Sequence, residues 1–172
     1  ELTVEDCIFK QTETTKDNQN GGAIYTQAQN TYKPIRITNC HFENTKSSQG
    51  GAIYITRAEN SNSEITIDSC NFENTHSTNI GNSIVISKTN TDQVVINNCS
   101  FVDCGYGRIS FIINLDVSKL KFNYNKFSFS NSEKNCGCIH LEQISDHEYI
   151  GNTFSDAQIN DEIEKSAGIN FD

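Results

Sequence analysis

The sequence predicts an all-β protein, a right-handed parallel β-helix of about six coils stacked on one axis. Two repeated elements and one spacing rule point there. A Cys-x-Phe element recurs at Cys7–Phe9, Cys40–Phe42, Cys70–Phe72 and Cys99–Phe101. A Gly-Gly-Ala-Ile-Tyr element falls between successive copies, at Gly21–Tyr25 and Gly50–Tyr54. Around both, apolar residues alternate with polar ones and do not follow the i, i+3, i+4, i+7 rule of an amphipathic helix, so the unit is built from short, half-buried strands. A period of roughly 29 residues with two or three strands is too short for a propeller blade of about 40 residues, and each such unit can bury its apolar face only against its neighbours.

The first element of each coil is a strand leading into a corner. Its inward residues are Leu2 and Val4, then Ile35 and Ile37, Ile65 and Ile67, Val94 and Ile96, and Leu120 and Phe122. β-branched residues dominate these positions, and the chain contains a single proline, Pro34. Beyond the strand stands Cys7, Cys40, Cys70 or Cys99, replaced by Asn125 and Asn152 in two decayed copies, Phe122–Phe127 and Tyr149–Phe154.

The second element is marked by Phe9, Phe42, Phe72, Phe101, Phe127 and Phe154, which lie 33, 30, 29, 26 and 27 residues apart. A wandering period puts the insertions in loops. Coils in register about 4.8 Å apart stack like on like, and each buried ring is worth roughly 1.5–3 kcal/mol of transfer free energy before entropy is charged against it. The third element is the glycine turn: Gly21-Gly22, Gly50-Gly51 and the drifted Gly81-Asn82-Ser83. It marks a tight corner needing positive φ, with Ala next because a larger inward side chain would collide with its stacked copies. Weaker echoes fall at Arg108–Ile112, Cys136–His140 and Ser166–Asn170.

Composition agrees with a solenoid. Only 35% of the 172 residues are hydrophobic, 22 are Asn, and mean hydropathy is −0.54, thin for a globule but sufficient where each coil needs few inward residues. Net charge is −9 with no Lys/Arg stripe, so nucleic acid is not an expected partner. Apolar stretches such as Ile109–Leu115 are far too short to cross a bilayer, and no membrane contact is expected from this segment. The chain lacks a start methionine and begins and ends inside a repeat. It is read as one uncapped β-helix segment, 1–172, of a longer protein, with the best-preserved repeats at 4–101 and degenerate coils at 102–172.

A Gly-Gly-Ala-Ile element alternating with Phe-Glu-Asn, with Cys two residues before the Phe, resembles the polymorphic outer membrane protein repeats first recognised in chlamydial surface adhesins. Related repeats occur in large surface proteins of some parasitic protists. The clean match covers residues 4–74, and after about residue 100 the glycine element disappears and Cys gives way to Asn. Asn at this inward corner is also found in β-helices generally, pectate-lyase-like ones included. The resemblance implies an extracellular or cell-surface passenger or stalk, anchored by regions outside this segment, with adhesion to a host-surface protein or glycan as its role.

Candidate chemistry is sparse. The ladder cysteines are expected to be reduced and packed inward, since adjacent rungs about 4.8 Å apart are wider than an unstrained disulfide prefers; seven cysteines also leave one over. No set of Cys and His pairs at knuckle spacing marks a zinc site, and no metal or cofactor is expected. Outward positions before the corner run Glu5, Thr38, Asp68, Asn97 and Asn123, placing Glu5 and Asp68 two coils apart, roughly 9–10 Å by the strand spacing. That separation would suit an inverting glycosidase pair, but Thr38 intervenes and no Arg or His stands near. Glu43 and Glu73, one coil apart, read as a solvated face, with a weak calcium site as the sharper alternative. His41, His76, His140 and His147 share no rung and read as surface residues. Gly21-Gly22 is no phosphate loop, and the sequon Asn98-Cys99-Ser100 is accidental if its Cys points inward. If the protein binds, the Thr-, Asn- and Ser-rich loops Lys10–Asn20, Thr26–Lys33, Lys46–Gln49 and Thr56–Ser63 are the place. The expectation is a non-catalytic display or spacer region; the competing class is a pectate-lyase- or polygalacturonase-like enzyme acting on polysaccharide.

Overall fold

The computed structural model describes residues 1–14, 19–28, 33–57, 64–105, 111–129, 137–142, 145–155 and 169–171. Among them there is no helix, and the paired strands all run parallel in a right-handed β-solenoid. Four walls recur. The corner wall contains Leu2–Glu5, Ile35–Thr38, Ile65–Asp68, the ends of two long strands, Ile84–Asn97 and Phe111–Asn123, and Asp146–Ile150. The aromatic wall follows with Ile8–Lys10, His41–Glu43, Asn71–Glu73, Ser100–Val102, Lys126–Ser128 and Thr153–Ser155. A short wall pairs Lys46–Gln49 with His76–Ile80. The glycine wall holds Ile24–Ala28, Ile53–Arg57, the starts of the two long strands, Gly137–Glu142 and Ile169–Phe171.

The register is the one the repeats predict: Val4, Ile37, Ile67, Ile96 and Phe122 lie in line, as do all six ladder phenylalanines. Phe9, Phe42, Phe72, Phe101, Phe127 and Phe154 stack with centroids 4.6–5.1 Å apart and ring planes within 13° of parallel. The four inner rings are fully buried. Although the aromatic wall has six rungs, the described residues make a solenoid of about four turns, slightly fewer than the six coils expected.

Three corrections to the sequence reading concern local geometry. Lys46–Gln49 is a strand, not a loop: the Ser47 hydroxyl points inward and donates to the carbonyls of Gln49 (2.8 Å) and Gly50 (3.0 Å), so a polar segment meets the demands of burial. The fourth glycine-wall copy is set two residues later than Arg108–Ile112, since Ile113 pairs with both Ile84 and Ile139. And only the first glycine of each pair has positive φ, in Gly21, Gly50 and Gly81. Gly22 and Gly51 are required for close approach instead, because a Cβ there would sit 2.1 Å from the carbonyl oxygen of Gly51 and of Asn82 respectively. The size limit at the following position holds through Ala23, Ala52 and Ser83 and lapses at Ile112, which is fully buried.

The first three coils therefore turn on three left-handed corners each, and among the described residues the later coils keep only part of the set. Asp6, Asn39, Ser69, Asn98, Tyr124 and Gly151 form the first, Gln11, Asn44, Asn74 and Asp103 the second, and the glycines the third. Asn and Asp recur because they tolerate this conformation better than other residues with a Cβ.

Candidate functional site

The ladder cysteines and asparagines do one job. Each thiol lies between two carbonyls, that of Cys40 3.2 Å from Thr38 and 3.6 Å from Val4, that of Cys70 3.3 Å from Asp68 and 3.5 Å from Ile37, and that of Cys99 3.2 Å from Asn97 and 3.7 Å from Ile67. The amides of Asn125 and Asn152 donate to the register equivalents of Val4, Ile37 and Ile67, the carbonyls of Ile96 (2.8 Å) and Phe122 (2.7 Å). In the other direction the backbone N–H groups of Cys7, Cys40 and Cys70 point at the sulfurs of Cys40, Cys70 and Cys99. Those of Cys99 and Asn125 donate to Oδ1 of Asn125 and Asn152, both at 2.9 Å.

None of Cys7, Cys40, Cys70 and Cys99 is in a disulfide. Burial pushes the Cys40 thiol up to about 11 and Cys99 well above its ordinary value, while the hydrogen bond from Cys99 lowers Cys70. Cys104 is buried with its thiol on the Phe72 carbonyl (3.3 Å), Cys138 is buried, and Cys136 lies outside the described residues.

Two of the outward carboxylates, Asp68 and Glu43, are engaged by their neighbours. Glu5, Thr38, Asp68, Asn97 and Asn123 form one register line, but Asp68 accepts hydrogen bonds from Ser69 Oγ (2.9 Å) and Asn98 Nδ2 (3.0 Å). Glu43 pairs with Lys10 Nζ (2.7 Å) and lies 3.4 Å from His41 Nε2. The Lys10 hydrogen bond holds Glu43 below the usual carboxylate range, and the same bond raises Lys10. Glu43 thus faces a lysine and not a cation shared with Glu73, and among the described residues no three His, Cys, Asp or Glu side chains converge as metal ligands.

Glu13 pairs with Lys46 (3.1 Å) and Glu64 with Arg36 (3.5 Å). His140 is not a surface residue: it is 8% exposed, in register with Asn114, with Nε2 3.0 Å from Glu142 Oε1. The Cys of the sequon does point inward, and Asn98 spends its amide on Asp68.

Two connections vary along the solenoid: from the ladder ring to the glycine wall the chain advances 15 residues (Phe9 to Ile24), then 11 (Phe42 to Ile53) and 12 (Phe72 to Ile84), and the seam between the glycine wall and the corner wall varies more widely. From the start of the corner wall to the ladder ring the chain always advances seven residues, as from Leu2 to Phe9, Ile35 to Phe42 and His147 to Phe154. From the glycine wall to the next corner wall it advances 11 residues (Ile24 to Ile35), then 12 (Ile53 to Ile65), 10 (Ile84 to Val94), 7 (Ile113 to Leu120) and 8 (Ile139 to His147). Where these connections are shortest the seam holds an open depression of about 410 Å³, lined by Gln93, Lys119, Leu120, Lys121, Asp146, His147 and Glu148. Lys119 stands opposite Asp146 and Lys121 opposite Glu148 across adjacent strands. Both lysines are exposed, and Glu148 accepts a hydrogen bond from Asn123 Nδ2 (2.6 Å). No family model, curated protein or solved structure matches this chain.

The depression lies apart from the four loops expected to bind. Its sequence signal was a Lys-x-Lys segment and an Asp-x-Glu segment set one coil apart in the degenerate repeats. Of the expected loops, Lys46–Gln49 is a strand, and residues 15–18, 29–32 and 58–63 lie outside the described residues. The glycine-wall segments that lead into two of them, Ile24–Ala28 and Ile53–Arg57, end on the same seam.

Proposed function

We propose that this chain is a non-catalytic solenoid module exposed at a cell surface or outside the cell, whose seam binds a glycan on another surface. The observation that carries the reading is that the connection from the glycine wall to the corner wall varies from 7 to 12 residues along the stack while the step from corner wall to ladder ring stays at seven, the arrangement by which rigid scaffolds present recognition segments. The depression on that seam offers ammonium donors and carboxylate acceptors side by side, which suits a polyhydroxylated ligand. Asp68 and Glu43 accept bonds from their own neighbours, which disfavours Asp68 as half of an acid–base pair. The resemblance to surface-adhesin repeats supports the location.

The test is a glycan array and host-cell binding assay run beside a pectin and polygalacturonate degradation assay in the same calcium-containing buffer. Saturable glycan binding without turnover, weakened at least about tenfold by Lys119→Ala with Lys121→Ala (a loss of about 1.4 kcal/mol), is the expected result. Cell binding that survives removal of surface glycans would make the partner a protein. Turnover that vanishes with Asp68→Asn would replace the reading with a β-helical enzyme.

A further inference from the structure

Four thiols stand in one file through the solenoid. Cys7, Cys40, Cys70 and Cys99 each precede a ladder ring by two residues, so their backbone positions follow one another at the spacing of neighbouring strands, about 4.8 Å. The fold does not require sulfur there, because Asn125 and Asn152 make the equivalent hydrogen bonds in the next two coils. The corner needs a short donor and acceptor, and the choice of sulfur in four consecutive coils is therefore surplus to the architecture. We propose that adjacent members of this file, Cys70 and Cys99 first, bind a soft monovalent d10 cation, Cu(I), in two-coordinate geometry between their sulfurs.

Spacing separates this from the alternatives. A disulfide prefers Cβ atoms about 3.8 Å apart, closer than in-register Cβ atoms at the rung spacing stand. Tetrahedral zinc needs four ligands around one point, whereas a file offers two at a time; the described residues hold no converging set of three. A linear sulfur–copper–sulfur unit holds its sulfurs two metal–thiolate bonds apart, roughly 4–5 Å, comparable with the rung spacing, and thiolates are the ligands that select Cu(I).

Backbone donors already face the sulfurs. The N–H groups of Cys40 and Cys70 already point at the sulfurs of Cys70 and Cys99, so each thiolate keeps a donor after its proton has gone. Ile67, Ile96, Phe72 and Phe101, all fully buried, exclude water. Binding forms two copper–sulfur bonds, releases two thiol protons to solvent and transfers no electron, leaving the pair with one net negative charge. Half-buried Cys7 and Cys40 form a second place of the same kind, giving a capacity of two ions.

The experiment is an anaerobic titration of the reduced chain with Cu(I) against a chromophoric Cu(I) chelator, followed by near-ultraviolet charge-transfer absorption and native mass. Wild type is expected to hold two ions while retaining its β circular dichroism. Cys70→Asn, which copies the chain's own Asn rungs, is expected to hold one, and Cys104→Ser two. For a readout that does not depend on a variant folding, copper-loaded wild type is unfolded and alkylated while the metal is retained. Peptides carrying Cys70 and Cys99 are expected to be protected and those carrying Cys104 modified. Uptake only after unfolding, unchanged stoichiometry in Cys70→Asn, or equal alkylation of Cys70, Cys99 and Cys104 would overturn the proposal.

Discussion

One backbone carbonyl at each first corner, that of Val4, Ile37, Ile67, Ile96 or Phe122, selects the side chain that turns it. The side chain must be short, must donate to that carbonyl and must accept the N–H of the preceding rung, and both Cys and Asn qualify. Cys99→Asn is accordingly expected to stay within about 1 kcal/mol of wild type, whereas Cys99→Ala leaves the Ile67 carbonyl and the Cys70 N–H without that partner and costs about 1–3 kcal/mol; urea unfolding distinguishes the two. The exchange of Cys for Asn was legible in the sequence, but its cause was not, since nothing in a linear pattern says which carbonyl a side chain will meet. The left-handed corners at Asn39, Asn44, Asn74 and Asn98 were legible only in part. Asn after Phe-Glu was visible as a motif, yet its conformational reason emerges once the chain has to turn there. The glycine pair divides similarly: positive φ explains Gly50, while the close carbonyl of Asn82 explains Gly51.

At the scale of strands, the aromatic wall is legible because its inward residue is a phenylalanine in all six rungs, and the short wall is not, because Lys46–Gln49 contains no apolar residue at all. A strand whose inward side chain is a serine bonded to local carbonyls carries no hydrophobic alternation to read. Between rungs the walls are also tied by exposed ion pairs, and Lys10 with Glu43 yields a pH prediction. Glu43 is depressed when folded, so its contribution is present above the ordinary carboxylate value and is lost as pH falls through its folded value. Lys10 is raised when folded, so its contribution is present below the ordinary lysine value and is lost as pH rises through the folded one. The pair therefore stabilises on a plateau between those limits. Lys10→Gln should lower Tm by a small amount at pH 7 in low salt, with the difference from wild type disappearing both in strong acid and at high ionic strength. A Tm difference that persisted after Glu43 was protonated would mean that the lysine acts through packing of its aliphatic stem instead.

For the whole molecule, stability is a sum over rungs and the contacts between neighbouring rungs, because each coil touches only the coils above and below. That view makes a whole coil removable and half a coil indispensable. Deleting residues 65–93 joins Glu64 to Val94, so that the Ile35 strand meets the Val94 strand in the pairing it now makes with Ile65. Phe42 then stacks on Phe101 in place of Phe72, Cys40 adjoins Cys99, and Asn44 meets Asp103, each a like-for-like exchange within its ladder. On the glycine wall Ala52 comes to rest beside Ile112, where Ser83 now sits, and the small residue at that rung is kept. The shortened chain should fold with an unchanged β circular dichroism signature per residue, and its urea m-value should fall by roughly one-sixth, since m tracks the surface exposed on unfolding. Deleting residues 65–78 instead joins Glu64 to Asn79, removing one corner-wall strand and one ladder ring while keeping the following glycine turn, so no register satisfies both walls and the cooperative transition should be lost. If the two deletions proved equally damaging, stability would have to reside in particular coils and not in the repeating contact between them.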